Sequence, residues 1–333
     1  MSFRSADFEA RRRQPGVMMG VILTDRCPVG CNHCSVSALI DDAGPDVNPA
    51  FGEQISQLAA LTSLEVVFVT GGDPFAHLDE LERTVGELVA RGKRVVLHSA
   101  GYWGADRSIE ARARALLARV DTLVLGVDLY HRIGVSDDAL AGAMRMASEA
   151  GCWIVTQVIV GPRQPDHRGY ALRMLEAAFG PEWQRHAEIA ENPPLDTGRA
   201  ARIDRFAARP SRAGRCELVN RPMLRFDGEV TACCNEAVLQ GGGPAGLRRA
   251  VAGDVEGALQ RLAADPLVRL VHELPTGAAY ELVASVAGVE PEPVAGTCDA
   301  CWRAGALLDA MTPEQHERVM TLASLLRLAA PAA

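Results

Sequence analysis

The chain has 333 residues, 48% of them hydrophobic, which is enough for one large domain and a smaller one. Its net charge of −8 argues against nucleic acid or an anionic membrane as partner. There is no signal peptide and no apolar run of about 18 residues, so the expectation is a cytoplasmic protein whose nine cysteines are ligands or catalysts, not disulfides.

Residues 1–15 read as an N-terminal tail. "GVMMGVILT" (16–24) reads as a buried strand that runs into "TDRCPVGCNHCSV". A helix follows with Asn48 as N-cap and Pro49 in its first turn, then the strand "LEVVFVT" (64–70). The next helix, from about Leu78 to Arg91, is stopped by Gly92 and leads to the strand "RVVLH" (94–98). A helix near 107–119 precedes "DTLVLGV" (121–127), and Ser136 caps a helix to about Ala150. "CWIVTQVIV" (152–160), a helix near 168–178 and "HAEIA" (186–190) complete six strand–helix units over residues 16–205. Valine-rich strands alternating with helices imply a parallel sheet buried on both faces, here a partial (β/α)6 TIM-like barrel. Chemistry in such barrels sits at the C-terminal strand ends.

Several unusual stretches fall at that end. Cys27, Cys31 and Cys34 follow the first strand with the spacing C-x3-C-x2-C. A structural zinc site closes with four protein ligands, and the nearest fourth candidate, His33, would have to fold back on its own turn. An iron–sulfur cube on three thiolates instead leaves one iron open to an exogenous ligand. "GGDP" (71–74) follows the second strand, either as an ordinary glycine turn or as a place of close backbone approach. Asp128 and His131, after the fourth strand, read as a solvated pair or as groups facing the mouth. The acids Glu188 and Glu191 are further rim candidates.

The cysteine triplet followed by Gly71, Gly72, Asp73 and Pro74 resembles the radical S-adenosylmethionine (SAM) superfamily over residues 17 to about 205. The resemblance implies that Cys27, Cys31 and Cys34 hold a 4Fe-4S cluster whose fourth iron chelates S-adenosyl-L-methionine. It implies that backbone carbonyls of Gly71 to Pro74 receive the methionine ammonium. His33, in a position that is often aromatic, is then expected near the adenine, and Ser99 near the ribose or carboxylate. Gly126 stands where the family often has serine, with Asp128 retained, and "PPLDTGRA" (193–200) resembles a Gly-Arg turn near the barrel's end.

Beyond residue 205, "FDGEV" reads as a hairpin turn at Gly228 that returns Cys233 towards Cys216, and "CDAC" adds Cys298 and Cys301. Four thiolates close a site, whether a zinc knuckle or a cluster. The pattern resembles the SPASM/twitch extension of radical SAM enzymes. With no cysteine after Cys301, the likeness is to the shorter form, a small C-terminal cysteine-rich domain (206–333) with one auxiliary 4Fe-4S cluster. Cys152 reads as a small buried hydrophobe, and Cys234 as a spare thiol, an alternative ligand or a hydrogen-atom donor. A last helix over 312–331, capped by Thr312, is expected to pack through Leu322, Leu325 and Leu328.

The implied activity is formation of a 5′-deoxyadenosyl radical and hydrogen-atom abstraction from an unactivated carbon of a natural product, peptide or small molecule. A closed auxiliary cluster implies net oxidation, by dehydrogenation or cross-linking. The alternatives are a redox-neutral epimerase of a peptide or aminosugar with a cysteine donor, or a non-enzymatic iron–sulfur or zinc-stabilised binding module. The expected partners are an electron donor such as flavodoxin or ferredoxin and, for a peptide, a separate recognition protein.

Overall fold

A computed structural model describes residues 3–12, 14–38, 47–160, 165–192, 198–199, 213–216, 218–219 and 221–329. The chain divides into two compact units, Met1–Asp204 with Met223–Gly228, and Arg205–Pro222 with Glu229–Ala333.

The first unit is the partial barrel. Its strands are β1 (Met18–Ile22), β2 (Val66–Thr70), β3 (Arg94–Ser99), β4 (Thr122–Gly126), β5 (Trp153–Ile159) and β6 (Ala187–Asn192). They lie side by side in chain order, every neighbouring pair parallel. The outer edge of β1 takes a short parallel strand, β7 (Met223–Arg225), so that β1 and β6 are not neighbours and the barrel is open. Helices α2 (Phe51–Ala60), α3 (Leu78–Ala90), α4 (Glu110–Leu117), α5 (Asp137–Glu149) and α6 (His167–Phe179) connect the strands. β1 is buried along its whole length, as a strand covered on both faces must be.

Local signals act as expected in most places. Gly92 ends α3 with φ of 72°, and the Ser136 hydroxyl accepts the Ala139 N–H at the start of α5. Asn48 caps a turn through Ala50 N–H at 2.9 Å instead of the helix itself, and its Nδ2 donates to the Asp227 carbonyl at 3.1 Å.

The segment read as a tail carries helix α1 (Ser5–Arg11), which shuts the N-terminal end of the barrel. Phe3 is buried with Met18, Val66 and Val96, and Arg4 lies 4.1 Å over the Trp153 ring. The N–H and hydroxyl of Ser5 donate to Glu188 Oε1 at 2.8 and 2.9 Å, and Trp153 Nε1 donates to the same oxygen at 3.1 Å. Glu188 is therefore a strut at the closed end, not a rim acid. It stands second in β6, and a strand's chemistry side lies at its far end.

The second unit is mostly helical. After β8 (Glu229–Thr231), α7 (Glu236–Leu239) and β9 (Arg248–Ala250) come α8 (Val255–Ala263), α9 (Pro266–Glu273), α10 (Thr276–Ala287), α11 (Thr297–Asp309) and α12 (Pro313–Ala329). β8 and β9 pair antiparallel. Thr312 and Gln315 form a reciprocal cap at the start of α12. The buried stripe of α12 is Val319 and Ala323; Leu325 is 57% exposed, so the expected leucine packing does not form there, and the side chain of Leu328 lies outside the described residues. Among the described residues no helix is long and apolar enough to cross a membrane.

Phe3→Ala is expected to cost about 3 kcal/mol by leaving a cavity against Met18, Val66 and Val96. Denaturant unfolding followed by tryptophan fluorescence checks this; a loss below about 0.5 kcal/mol would remove Phe3 from the core.

Candidate active site

The exits of β1 and β2 are bound to each other by main chain. Beyond the paired residues Ile22 and Thr70, the hydrogen bonds continue: Leu23 N–H donates to the Thr70 carbonyl at 2.9 Å, Gly72 N–H to Thr24 at 2.7 Å and Asp73 N–H to Arg26 at 2.8 Å. A Cβ on Gly71 would collide with the Thr24 carbonyl, and one on Gly72 with that of Arg26. Gly71 also has φ of 147°, a backbone that favours glycine. The two glycines are thus accounted for by loop-to-loop contact before any ligand is considered.

Asp73 stands at the centre of this contact with no exposed surface. Its carboxylate accepts the Phe75 N–H at 3.1 Å, the Ala100 N–H at 2.7 Å and the Ser99 hydroxyl at 2.9 Å. Burial raises its carboxyl to about 6, and those three donors hold it from rising further. The Ser99 oxygen in turn accepts the Gly101 N–H at 3.0 Å and Trp103 Nε1–H at 2.9 Å. Its single donor and both lone pairs are thereby engaged inside the protein. Pro74 opens the short 3-10 turn that Asp73 caps, and Phe75 stacks on Trp103 at 4.0 Å.

The cysteines lie on the loop that this contact fixes. Cys27 and Cys31 are buried and Cys34 is half-buried. Burial pushes the Cys27 thiol up to about 12, with Asp73 and Cys31 adding to the rise. Ala38 N–H points at Cys34 Sγ from 3.4 Å.

A second buried acid, Asp128, faces the loop from the end of β4. It is 1% exposed, which excludes the solvated pair. Tyr130 N–H and His131 N–H donate to Asp128 Oδ1 at 2.9 and 3.1 Å. His33 Nε2 lies 3.3 Å from Asp128 Oδ2. His131 Nδ1 lies 3.0 Å from Asp128 Oδ1, an ion-pair approach without hydrogen-bond alignment. Burial opposes the charge on Asp128, but the two imidazoles outweigh it and hold the carboxyl far below the usual carboxylate range. Burial likewise opposes a charged His131, and Asp128 and Cys31 overcome it, raising His131 to about 10. A Cβ at Gly126 would strike the His131 ring, so glycine at this position is what admits the imidazole.

Ring nitrogens of His33 and His131 and the Cys31 sulfur all lie within 4.8 Å of one another, so His33 does reach back to Cys31. His33 also stacks on Tyr130 at 5.0 Å, and Tyr130 meets His167 at 4.9 Å. Tyr130 and His167 lie outside every motif read from the sequence, and nothing local marks either. Glu191 pairs with Arg168 at 3.1 Å. Of the Gly-Arg turn, residues 193–197 and 200 lie outside the described residues, whereas Gly198 and Arg199 sit against the cysteine loop: Arg199 N–H donates to the Cys34 carbonyl at 2.9 Å.

In the second unit, Cys298 and Cys301 fall in the first turn of α11 at i, i+3, on one face of the helix. Cys233 precedes α7, whose cap is Asn235. Burial raises the Cys301 thiol, and Cys216, Cys233 and Cys298 push it further. Burial raises Cys233 to about 12, with Cys234, Cys216 and Cys298 adding to it. Cys216, Cys233, Cys298 and Cys301 are therefore electrostatic neighbours, with Cys234 among them. Burial also raises Cys234, against the pull of Arg221. Cys152 is buried at the start of β5.

Comparison with known proteins gives a family and a fold. Residues 21–175 match the family model described as the Radical SAM superfamily. A structure of anSMEcpe with bound AdoMet and Cp18Cys peptide is similar at 11% identity and a TM-score of 0.52, covering 93% of this chain and 99% of that one. BtrN in complex with AdoMet and 2-DOIA is similar at 14% identity and a TM-score of 0.43, over 79% of this chain and 88% of that one. Streptococcus suis SuiB bound to precursor peptide SuiA gives 9% identity and a TM-score of 0.44, over 68% and 62% of the two chains. No curated protein matches the chain. The matched span begins within β1, takes in the cysteine loop, the Gly-Gly-Asp turn and Asp128, and ends in α6: residues 21–175 of this chain are a radical SAM domain.

Proposed function

We propose that this chain is a radical SAM enzyme of the SPASM/twitch kind that oxidises a natural-product substrate, a peptide or a small molecule. The observation that carries the reading is the joining of the cysteine loop to the Gly71–Asp73 turn at the C-terminal end of one barrel. When bound and reduced, the cluster and S-adenosyl-L-methionine supply a 5′-deoxyadenosyl radical able to take a hydrogen atom from an unactivated carbon.

The residues present fit that group. Cys27, Cys31 and Cys34 offer three thiols on one braced loop, the donor set of an iron–sulfur group with one open iron. His33 Nδ1 is buried with no hydrogen-bond partner among the described residues, an orphan that a ligand at the mouth would satisfy. Gly71, Gly72, Asp73 and Pro74 would receive the methionine end through main chain, and His33 would lie by the adenine. Asp73 and Ser99 act on SAM through the turn that they hold in shape. Asp128 keeps His33 in one orientation. The Cys31–His33–His131 group is the alternative zinc site, which would leave Cys27 and Cys34 unused.

Cys216, Cys233, Cys298 and Cys301 are assigned to a single auxiliary 4Fe-4S cluster, supported by the approach of Asn235 Nδ2 to Cys298 Sγ at 3.7 Å, which brings the segment of Cys233 to the start of α11. Four protein thiolates leave no open position for substrate, which suits electron transfer and hence net oxidation. A low-potential donor such as flavodoxin or ferredoxin supplies electrons, and a separate recognition protein accompanies a peptide substrate. Of the three candidate rim acids, Glu188 lies at the closed end and Asp128 is fully engaged; Glu191 stands at the rim, paired with Arg168.

Anaerobically reconstituted protein is expected to hold about eight irons per chain, and the Cys27, Cys31 and Cys34 triple alanine variant about four. Metal analysis that finds zinc and no iron overturns the reading. Dithionite-reduced protein should release 5′-deoxyadenosine and methionine from SAM, whereas Cys31→Ala should not.

Mass spectrometry of the product decides between the two reaction types. Oxidation gives a product two hydrogens lighter than substrate, lost in Cys298→Ala and largely kept in Cys234→Ala. Epimerisation gives equal masses in ordinary water and one deuterium from heavy water, with that incorporation lost in Cys234→Ala.

A further inference from the structure

The loop that carries the three cysteines contains no helix or strand from Cys27 to Ala38. Its carbonyls have no regular ladder to pair with, and the β2 turn reaches only the residues just before it, Thr24 and Arg26. The later half, where Cys31 and Cys34 sit, is held from another side by Arg199. Its Nε–H donates to the Cys31 carbonyl at 2.8 Å, its Nη1–H to the Ala38 carbonyl at 2.9 Å, and its main-chain N–H to the Cys34 carbonyl at 2.9 Å. One residue thus spans three turns of the loop with charge-assisted and main-chain bonds.

The approach is built for contact. Gly198, with φ of 62°, lies so close that a Cβ would strike the carbonyl of Cys34 and the main chain of Ser35. Arg199 is 168 positions from Cys31 and follows the exit of β6. β6 and β1 are not paired, so the open side of the barrel is bridged at its mouth by side chain and loop, not by strand hydrogen bonds. Arg199 meets the two carbonyls with two different nitrogens of one rigid plane, Nε and Nη1, which the single nitrogen of a lysine does not offer.

We infer that Arg199 is the clasp of the cysteine loop: a positioning residue that keeps the thiols of Cys31 and Cys34 in place while the site is empty and sets how firmly it retains its cluster. The inference rests on the proposed cluster at Cys27, Cys31 and Cys34.

The test uses the full chain with Arg199→Met, which removes fork and charge, and Arg199→Lys, which keeps the charge alone. Hydrogen–deuterium exchange of residues 27–38 is followed in the iron-free protein, and iron release to a chelator in the anaerobically reconstituted protein. In Arg199→Met, both are expected to rise by about tenfold, the usual cost of losing an outer partner of a metal ligand, with exchange in β3 and β4 unchanged. The midpoint potential of the SAM-binding cluster, read by electron paramagnetic resonance, should fall in Arg199→Met and return towards wild type in Arg199→Lys. Iron release should stay fast in Arg199→Lys.

Wild-type loop exchange and iron release in Arg199→Met overturn the clasp. If Arg199→Met does not fold, Arg199→Lys carries the same expectation for exchange and release, and wild-type values there overturn it equally. If wild-type protein holds no iron beyond that of the Cys27, Cys31 and Cys34 triple alanine variant, the cluster reading fails. Loop exchange in the iron-free protein then decides the clasp alone.

Discussion

The main-chain contact between the turn Gly71–Asp73 and the start of the cysteine loop is the constraint on which the rest of the site depends. β1 and β2 are parallel neighbours, so both leave the sheet at the same end, and their ladder runs on past the last strand residue through Thr24 and Arg26. That continuation is possible only where the opposing chain has no Cβ, which is why two glycines stand side by side. It also directs the Asp73 side chain inwards, where it gathers donors from β3 and from its own turn. Three consecutive strand exits are thereby locked without any ligand, and the cysteines inherit a loop whose first half is already fixed. Preorganisation of this kind lowers the entropic cost of assembling ligands around a metal group.

Much of the barrel was legible because each of its signals is local. Valine and isoleucine runs mark the strands, Gly92 and Ser136 mark helix ends, and the cysteine spacing marks the loop. What escaped the sequence was set by depth and partner. Glu188 and Glu191 lie on one short strand, yet one ends at the closed floor and the other at the rim, because three residues of strand span about 10 Å. The segment "FRSADFEAR" offers little periodicity, and it closes the barrel floor through one buried phenylalanine and one serine–glutamate contact. The helices between 255 and 309 carry start signals of their own: Asp265 caps α9 and Pro266 opens it, the combination that marks a helix start elsewhere in the chain. α12 was read from leucine spacing, whereas its buried face is the smaller pair Val319 and Ala323.

The acids show why residue type alone does not assign a role. Asp73, Asp128 and Glu188 are all carboxylates in or near a catalytic barrel, and in the structure each is surrounded by donors from its own protein. Asp128 is the most informative of them. Its two imidazole partners come from different strand exits, His33 from the cysteine loop and His131 from the β4 exit. The space that His131 fills exists because residue 126 is glycine. A side chain at 126 would compete with the His131 imidazole for one volume, so glycine there is a condition of the buried Asp128–His131 pair.

The two cysteine groups differ in a way that follows from how each is built. The first is carried on one loop of the barrel, with three thiols and two imidazoles near the middle one, and its geometry is fixed from the neighbouring strand exits. The second is drawn from three separate segments of the other unit, and only Cys298 and Cys301 share a rigid element, the first turn of α11. A set gathered from distant segments loses more chain entropy when it assembles than one carried on a single loop. On the proposed reading the auxiliary cluster therefore contributes to folding of its unit, as structural metal groups do when their ligands come from remote parts of a chain. The first cluster, in contrast, is received by a loop that the barrel has already shaped, which leaves its open position to the chemistry.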